Sequence, residues 1–308
     1  MRALIVLLGL ALSAFSALAE GTPKVVVSIQ PLHSIVAAVM GDIGQPTLLL
    51  PGRLGEHRAT FTPHQIAEVA SADAVFLVSR GLEAKLAQMS GSEAVEGRVF
   101  HFLADAPGVH RLAVREGGVW ADHHHDEEEG EEHAEGLLAY DPHVWLDPEN
   151  AKAMARAIAS ALAAIDESNA AIYAANAEGF AASLDSLSAE VTTTLAPLRE
   201  KRFVVFHDAF QYFEQRFALT GAGAIADVSA VPPSPRRLSE IKQLIAGNGV
   251  TCVFREPQYD DRFVRAAIED GGARSGVLDP IGAELEPGPD AYARLLANLA
   301  RDFPACMN

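Results

Sequence analysis

Residues 147–197 read DPENAKAMARAIASALAAIDESNAAIYAANAEGFAASLDSLSAEVTTTLAP, a long Ala-rich run at the middle of the chain. Asp147 before Pro148 is an N-cap followed by a first-turn proline, which predicts a helix to about Ile165. Ser168 is placed to cap a second helix running to about Ala196, where Pro197 stops it. At roughly 28 residues that second helix measures about 42 Å. A rod of this length suits a rigid strut between two lobes, and a helical hairpin inside one domain fits the same pattern. No strand signal interrupts it.

On either side of this stretch short apolar runs alternate with helical spacing. Val25 to Ile29, Thr47 to Leu50, Ala74 to Val78 and Val99 to Phe102 read as buried strands, with helices near 31–40, 62–71 and 82–89 between them. The rhythm returns with strands at Phe203 to Phe206, Ala224 to Ala226, Thr251 to Phe254 and Gly276 to Leu278, and helices near 209–217, 234–246, 261–271 and 289–302. The expected fold is therefore α/β: two Rossmann-like lobes with central, mostly parallel sheets, at 20–165 and 198–308, joined by a long rigid linker helix at 166–197.

Residues 1–19 are set apart as a signal peptide. Arg2 supplies a positive start, Ala3 to Leu12 is apolar, and Ala17-Leu18-Ala19 forms a cleavage site before Glu20. The apolar run is shorter than the roughly 20 residues that span a bilayer, and no cysteine follows the cleavage site. An exported, soluble periplasmic protein is expected. In an oxidising compartment Cys252 and Cys306 are candidates for one disulfide, with two buried thiols as the alternative.

With 24 Lys+Arg against 41 Asp+Glu the 308-residue chain carries a formal charge of −17, and no basic run offsets it. Nucleic acid and anionic membrane are excluded as partners by repulsion. Residues 121–135, ADHHHDEEEGEEHAE, hold eight of those negative charges and no base. Their composition predicts a disordered loop. Its histidines, His123, His124, His125 and His133, suit a low-affinity collector of divalent cations; a merely solubilising loop is the plainer alternative.

In open parallel sheets ligands bind beyond the carboxyl ends of the strands, so polar residues placed there are the candidates. Four places qualify: Glu56-His57 after a glycine-containing turn, His143 between Asp141-Pro142 and Asp147-Pro148, His207 at the end of FVVFH, and Asp279 in VLDP. A single strand-end histidine is usually structural. Three of them divided between two lobes form a set that converges on a cleft, and three imidazoles with a carboxylate or water make the tetrahedral shell Zn(II) prefers. Two cysteines are too few for a four-cysteine zinc site. His33, His64, His101 and His110 are expected in ordinary structural or surface roles.

The order VVVSIQPLHSIV, LLLPGRLGEHRATFTPHQI, the acidic His-rich insert, DPHVWLDPENA, FVVFHDAF, CVFREPQYD and VLDPIG resembles the ZnuA-type zinc-binding proteins of the cluster A-I (cluster 9) solute-binding family of ABC transporters. The resemblance spans essentially the whole chain after the signal peptide. It implies two lobes on a rigid helix, Zn(II) captured between them, delivery to an inner-membrane ABC permease, and a Cys252–Cys306 disulfide. It carries the ligand roles onto His57, His143 and His207, and leaves the fourth ligand open among Asp279, Glu56 and water. Manganese- and iron-binding relatives usually place a carboxylate where His207 stands, so an imidazole there favours zinc. A periplasmic zinc chaperone is a further expected partner, and the chain is expected to be a monomer. The competing readings are a manganese- or iron-binding relative, a metal-binding adhesin or buffer, and a zinc hydrolase. The last has no HExxH motif, only Glu56 as a nominal base, so no enzymatic activity is expected.

Overall fold

Short apolar runs form two sheets of identical strand order. In the computed structural model, which describes residues 21–308 apart from 53, 59, 93–98, 116–119 and 121–138, β1 (Val25–Ile29), β2 (Thr47–Leu50), β3 (Ala74–Leu77) and β4 (Val99–Phe102) pair as β2-β1-β3-β4, all parallel. β5 (Arg202–His207), β6 (Thr220–Ala226), β7 (Val250–Arg255) and β8 (Arg274–Val277) pair as β6-β5-β7-β8, again all parallel. The expected signal peptide at 1–19 and the His-rich insert at 121–135 lie outside the described residues.

Parallel strands are covered on both faces, which is why they read as continuous apolar runs. In β5 the alternation is still visible: Phe203 and Val205 face the main core, whereas Val204 and Phe206 face a smaller cluster with Ile225, Ile241 and Val264. The crossovers in the first sheet are α1 (Gln30–Met40), α2 (Pro63–Ser71) and α3 (Ala84–Met89); those in the second are α6 (Gln211–Phe217), α7 (Pro235–Gly247) and α8 (Arg262–Ile268). Helices α2 and α7 start as proline-led turns capped by Thr62 and Ser234, whose hydroxyls accept from Gln65 and Arg237 N–H.

Between the sheets run α4 (Pro148–Ile165) and α5 (Ala170–Leu195), and α9 (Ala291–Met307) ends the chain. Helix α5 has 26 residues, hence a length of about 39 Å. It lies along α4 and also packs on α1 and α9, so the hairpin and the strut are one object. Its buried Tyr173, Phe180, Leu184 and Leu195 belong to a single apolar cluster that also contains Val27 and Phe76 of the first sheet and Phe203 and Phe254 of the second. The lobes thus share one core.

Three boundaries differ most from the sequence expectation. β6 begins at Thr220 instead of Ala224, because Gly221 hides its strand character; a Cβ there would lie 2.9 Å from the Glu214 carboxylate, which would have to shift to admit it. Helix α8 stops at Ile268, before Gly271 and Gly272, which take positive φ. Helix α9 continues past Asp302 to Met307 with Pro304 inside it, and its last turn carries Cys306 to its disulfide with Cys252 of β7.

Candidate metal centre

Each candidate ligand is set by a local feature of the chain. After β2, Gly52 at φ +67° turns the backbone, and a 3-10 turn at Glu56–Arg58 presents Glu56 and His57. His143 immediately precedes another 3-10 turn, Val144–Leu146, which leads through the Asp147 cap into α4. His207 is the last residue of β5, where the sheet ends and a side chain can point into the crevice.

The structure brings these four side chains together. One ligand atom from each of Glu56, His57, His143 and His207 lies within 4.8 Å of all the others. The Nε2 atom of His143 is 3.1 Å from that of His57 and 3.2 Å from that of His207. Around a tetrahedral Zn(II) with Zn–N bonds of about 2.0–2.1 Å, neighbouring nitrogens stand about 3.3 Å apart. Glu56 Oε1 lies 3.8, 3.9 and 3.6 Å from the Nε2 atoms of His57, His143 and His207. Glu56, His143 and His207 are fully enclosed, and the His57 side chain is 6 % exposed. A cavity of about 200 Å³ lined by His57, Phe61, Leu82, Glu83 and Lys85 adjoins the site on that side.

Carboxylates behind the imidazoles fix their orientation. His143 Nδ1 is 2.7 Å from Asp141 Oδ1, which also accepts the His143 backbone N–H at 2.9 Å. His207 Nδ1 is 2.8 Å from Glu256 Oε1, which accepts the His207 N–H at 3.1 Å. A proton held at Nδ1 leaves each Nε2 lone pair directed into the centre. Lone pairs brought this close repel unless a cation or proton lies among them. The Glu56 carboxylate is buried without a hydrogen-bond partner for either oxygen, a costly arrangement that a bound cation relieves.

The electrostatics are those of a negatively biased cage. Burial pushes the Glu56 carboxyl up to about 7, against the pull of His207. Burial also opposes charge on His207, but the carboxylates of Glu256, Glu56 and Asp208 outweigh it and hold the imidazole at about 9. His143 is driven well below the ordinary histidine value by burial, reinforced by the positive charges of His207 and Arg115. One imidazole is thus neutral and ready to ligate, while another must surrender a proton.

Asp279 is not among the convergent four. Its carboxylate accepts from Gln258 Nε2 at 2.7 Å and from the N–H groups of Ile281, Gly282 and Ala283, so it closes the turn after β8 and acts on Glu56 only through its charge. The other four described histidines have other partners or settings. His33 Nε2 donates to Pro46 O at 3.0 Å, His101 stacks on Phe76, His64 is exposed beside Glu68, and His110 lies in a loop tied to Asn150. Asp141 and Glu256 were not singled out as functional from sequence. Glu256 directly follows β7, a strand-end place like the one that marks His207 at the end of the neighbouring β5, and Asp141 stands two residues before His143 in a turn whose first side chain accepts the His143 N–H.

Residues 25–306 match the family described as ZnuA, zinc-uptake complex component A, periplasmic. The high-affinity zinc uptake system protein ZnuA of Brucella suis biovar 1 (strain 1330) is 38% identical over 315 residues, covering 95% of this chain and 94% of that protein. The protein of the same description from Paracoccus denitrificans (strain Pd 1222) is 34% identical, covering 99% of this chain and 97% of its own length. A crystal structure of ZnuA aligns with 93% of this chain and 100% of its own at a TM-score of 0.77 and 27% identity.

Proposed function

This chain belongs to the ZnuA family of zinc-uptake components, and on that premise we propose that it captures Zn(II) between its lobes in the periplasm and hands it to the permease of an ABC transporter. The observation that carries the reading is the convergence of three imidazole Nε2 atoms at 3.1 and 3.2 Å on a buried carboxylate that has no other partner. Glu56, His57, His143 and His207 are the proposed ligand set, with Glu56 in the fourth place because the Asp279 oxygens are engaged by four donors. Three nitrogens and one oxygen make a borderline-soft tetrahedral shell suited to zinc. A shell closed by four protein ligands leaves no position for an activated water, which separates capture from hydrolysis.

The four histidines and eight acids of residues 121–135 are proposed to gather cations at low affinity. The protein is proposed to act as a monomer, to be exported by residues 1–19, and to receive zinc free or from a periplasmic chaperone. His143→Ala removes the central imidazole of the set. Titration of Zn(II) against a competing chelator is expected to show affinity reduced by more than about 100-fold, beyond the cost of losing an outer partner. An unchanged affinity would remove the site assignment.

A further inference from the structure

Two consecutive residues at the start of α6, Gln211 and Tyr212, hold both chain segments that flank residues 116–138 and meet at Asp141. Tyr212 is fully buried. Its hydroxyl accepts from Leu112 N–H at 2.9 Å and donates to the carbonyl of Asp141 at 2.7 Å. The Gln211 amide, oriented to satisfy its acceptors, donates to Asp141 Oδ2 at 3.1 Å and to Ala113 O at 3.2 Å. The Asp141 N–H in turn donates to Leu112 O at 2.9 Å. Asp141 is therefore held at its N–H, its carbonyl and Oδ2, while Oδ1 grips the ring and backbone of His143.

We infer that Gln211 and Tyr212 are positioning residues of the metal centre, acting on His143 through Asp141 from the opposite lobe. Asp141 and His143 precede α4, whereas Gln211 and Tyr212 follow β5, the strand that ends in His207. One clasp thereby registers two ligands, His143 in the turn before α4 and His207 at the end of β5, against each other. The half-buried Arg115 extends the clasp: its guanidinium donates to Asp208, the neighbour of His207, and to Glu214 of α6, and it lies 3.5 Å from the Trp120 ring centroid. A ligand fixed through its outer partners loses little freedom on binding, and such partners usually matter at 10–100-fold in metal affinity.

The inference rests on the proposed zinc site, and the test separates the two. Zn(II) affinity of the full chain is measured by chelator competition for Tyr212→Phe, Gln211→Leu, Asp141→Ala and the two doubles with Asp141→Ala. Tyr212→Phe and Gln211→Leu are each expected to weaken binding about tenfold alone and to add nothing in the Asp141→Ala background, the signature of action through that residue. The visible absorption of the Co(II)-substituted protein should change in the single variants, because a loosened His143 alters the ligand field. Equal losses with and without Asp141, or wild-type affinity in both single variants, would overturn the clasp. Were Tyr212→Phe to fold poorly, Gln211→Leu carries the same test. Zinc binding lost in His143→Ala but intact in Tyr212→Phe and Gln211→Leu removes only the clasp, whereas intact binding in His143→Ala removes the site.

Discussion

At the site, the two imidazoles with carboxylate partners behave differently. His143 has one, Asp141, and is kept neutral by burial; His207 has Glu256 with Glu56 and Asp208 nearby and is held at about 9. Below that value His207 carries a proton that zinc must displace, and below about 7 Glu56 carries one too. Affinity should therefore rise with pH through about 7 and level off only above about 9, with protons released on binding. Calorimetric titration in buffers of different ionisation enthalpy between those values would count the protons; affinity flat across the window would show that the carboxylates do not hold His207 charged. The three histidines were legible in the sequence because each follows a strand or a turn signal. Glu56 was one of three choices for the fourth place, since a carboxylate's hydrogen-bond partners depend on the fold. Tyr212, Gln211 and Arg115 left no local signal, because their role lies in contacts between residues about 70 to 100 positions apart.

Among elements whose ends are written in local chemistry α4 was read correctly from sequence, whereas Ser168 does not cap α5, whose N-cap position is Asn169. Helix α4 starts and stops at Pro148 and Ile165 as expected, because Asp147 accepts the Glu149 N–H at 2.9 Å in a true N-cap. The same carboxylate receives the fork of Arg216 at 2.7 and 2.8 Å, so a helix cap doubles as a tie between lobes. Asp147→Ala should cost about 1–2 kcal/mol in urea unfolding of the metal-free protein, most of it from the cap, since the Arg216 side chain is 37 % exposed and stays solvated. A loss below about 0.5 kcal/mol would show that neither role contributes. Elements fixed by distant contacts were misread: β6 lost its first turn of strand to Gly221, and α9 was ended too soon because Pro304 sits in a helix whose last turn is fastened by Cys306.

Over the whole molecule, the sequence shows two repeats of strand and helix, and the structure joins them by one core. Apolar side chains of both sheets, α1, α5 and α9 form a continuous cluster, which no pattern within either half could reveal. The metal-free protein is accordingly expected to unfold in one calorimetric transition with equal calorimetric and van't Hoff enthalpies. Two resolved transitions would mean that each lobe holds its own core. Hydrogen bonds across the same seam, from Gln30 to Leu285 O, Trp145 to Pro280 O and Tyr292 to Trp145 O, act with the core to keep the lobes in register.

That shared core also sets how the sequence is free to drift. Each sheet repeats the same four-strand plan, yet α1 packs on the first sheet and α9 on the second while α5 packs on both of these helices, so one strut answers to both halves. A change of volume at Tyr173, Phe180 or Leu184 is felt by two lobes, so compensating changes must arise in both halves of the chain. The outer cluster around Ile225, Ile241 and Val264 answers to one sheet alone. Heritable variation should thus accumulate on that outer face, while the strut holds the two halves to a common history.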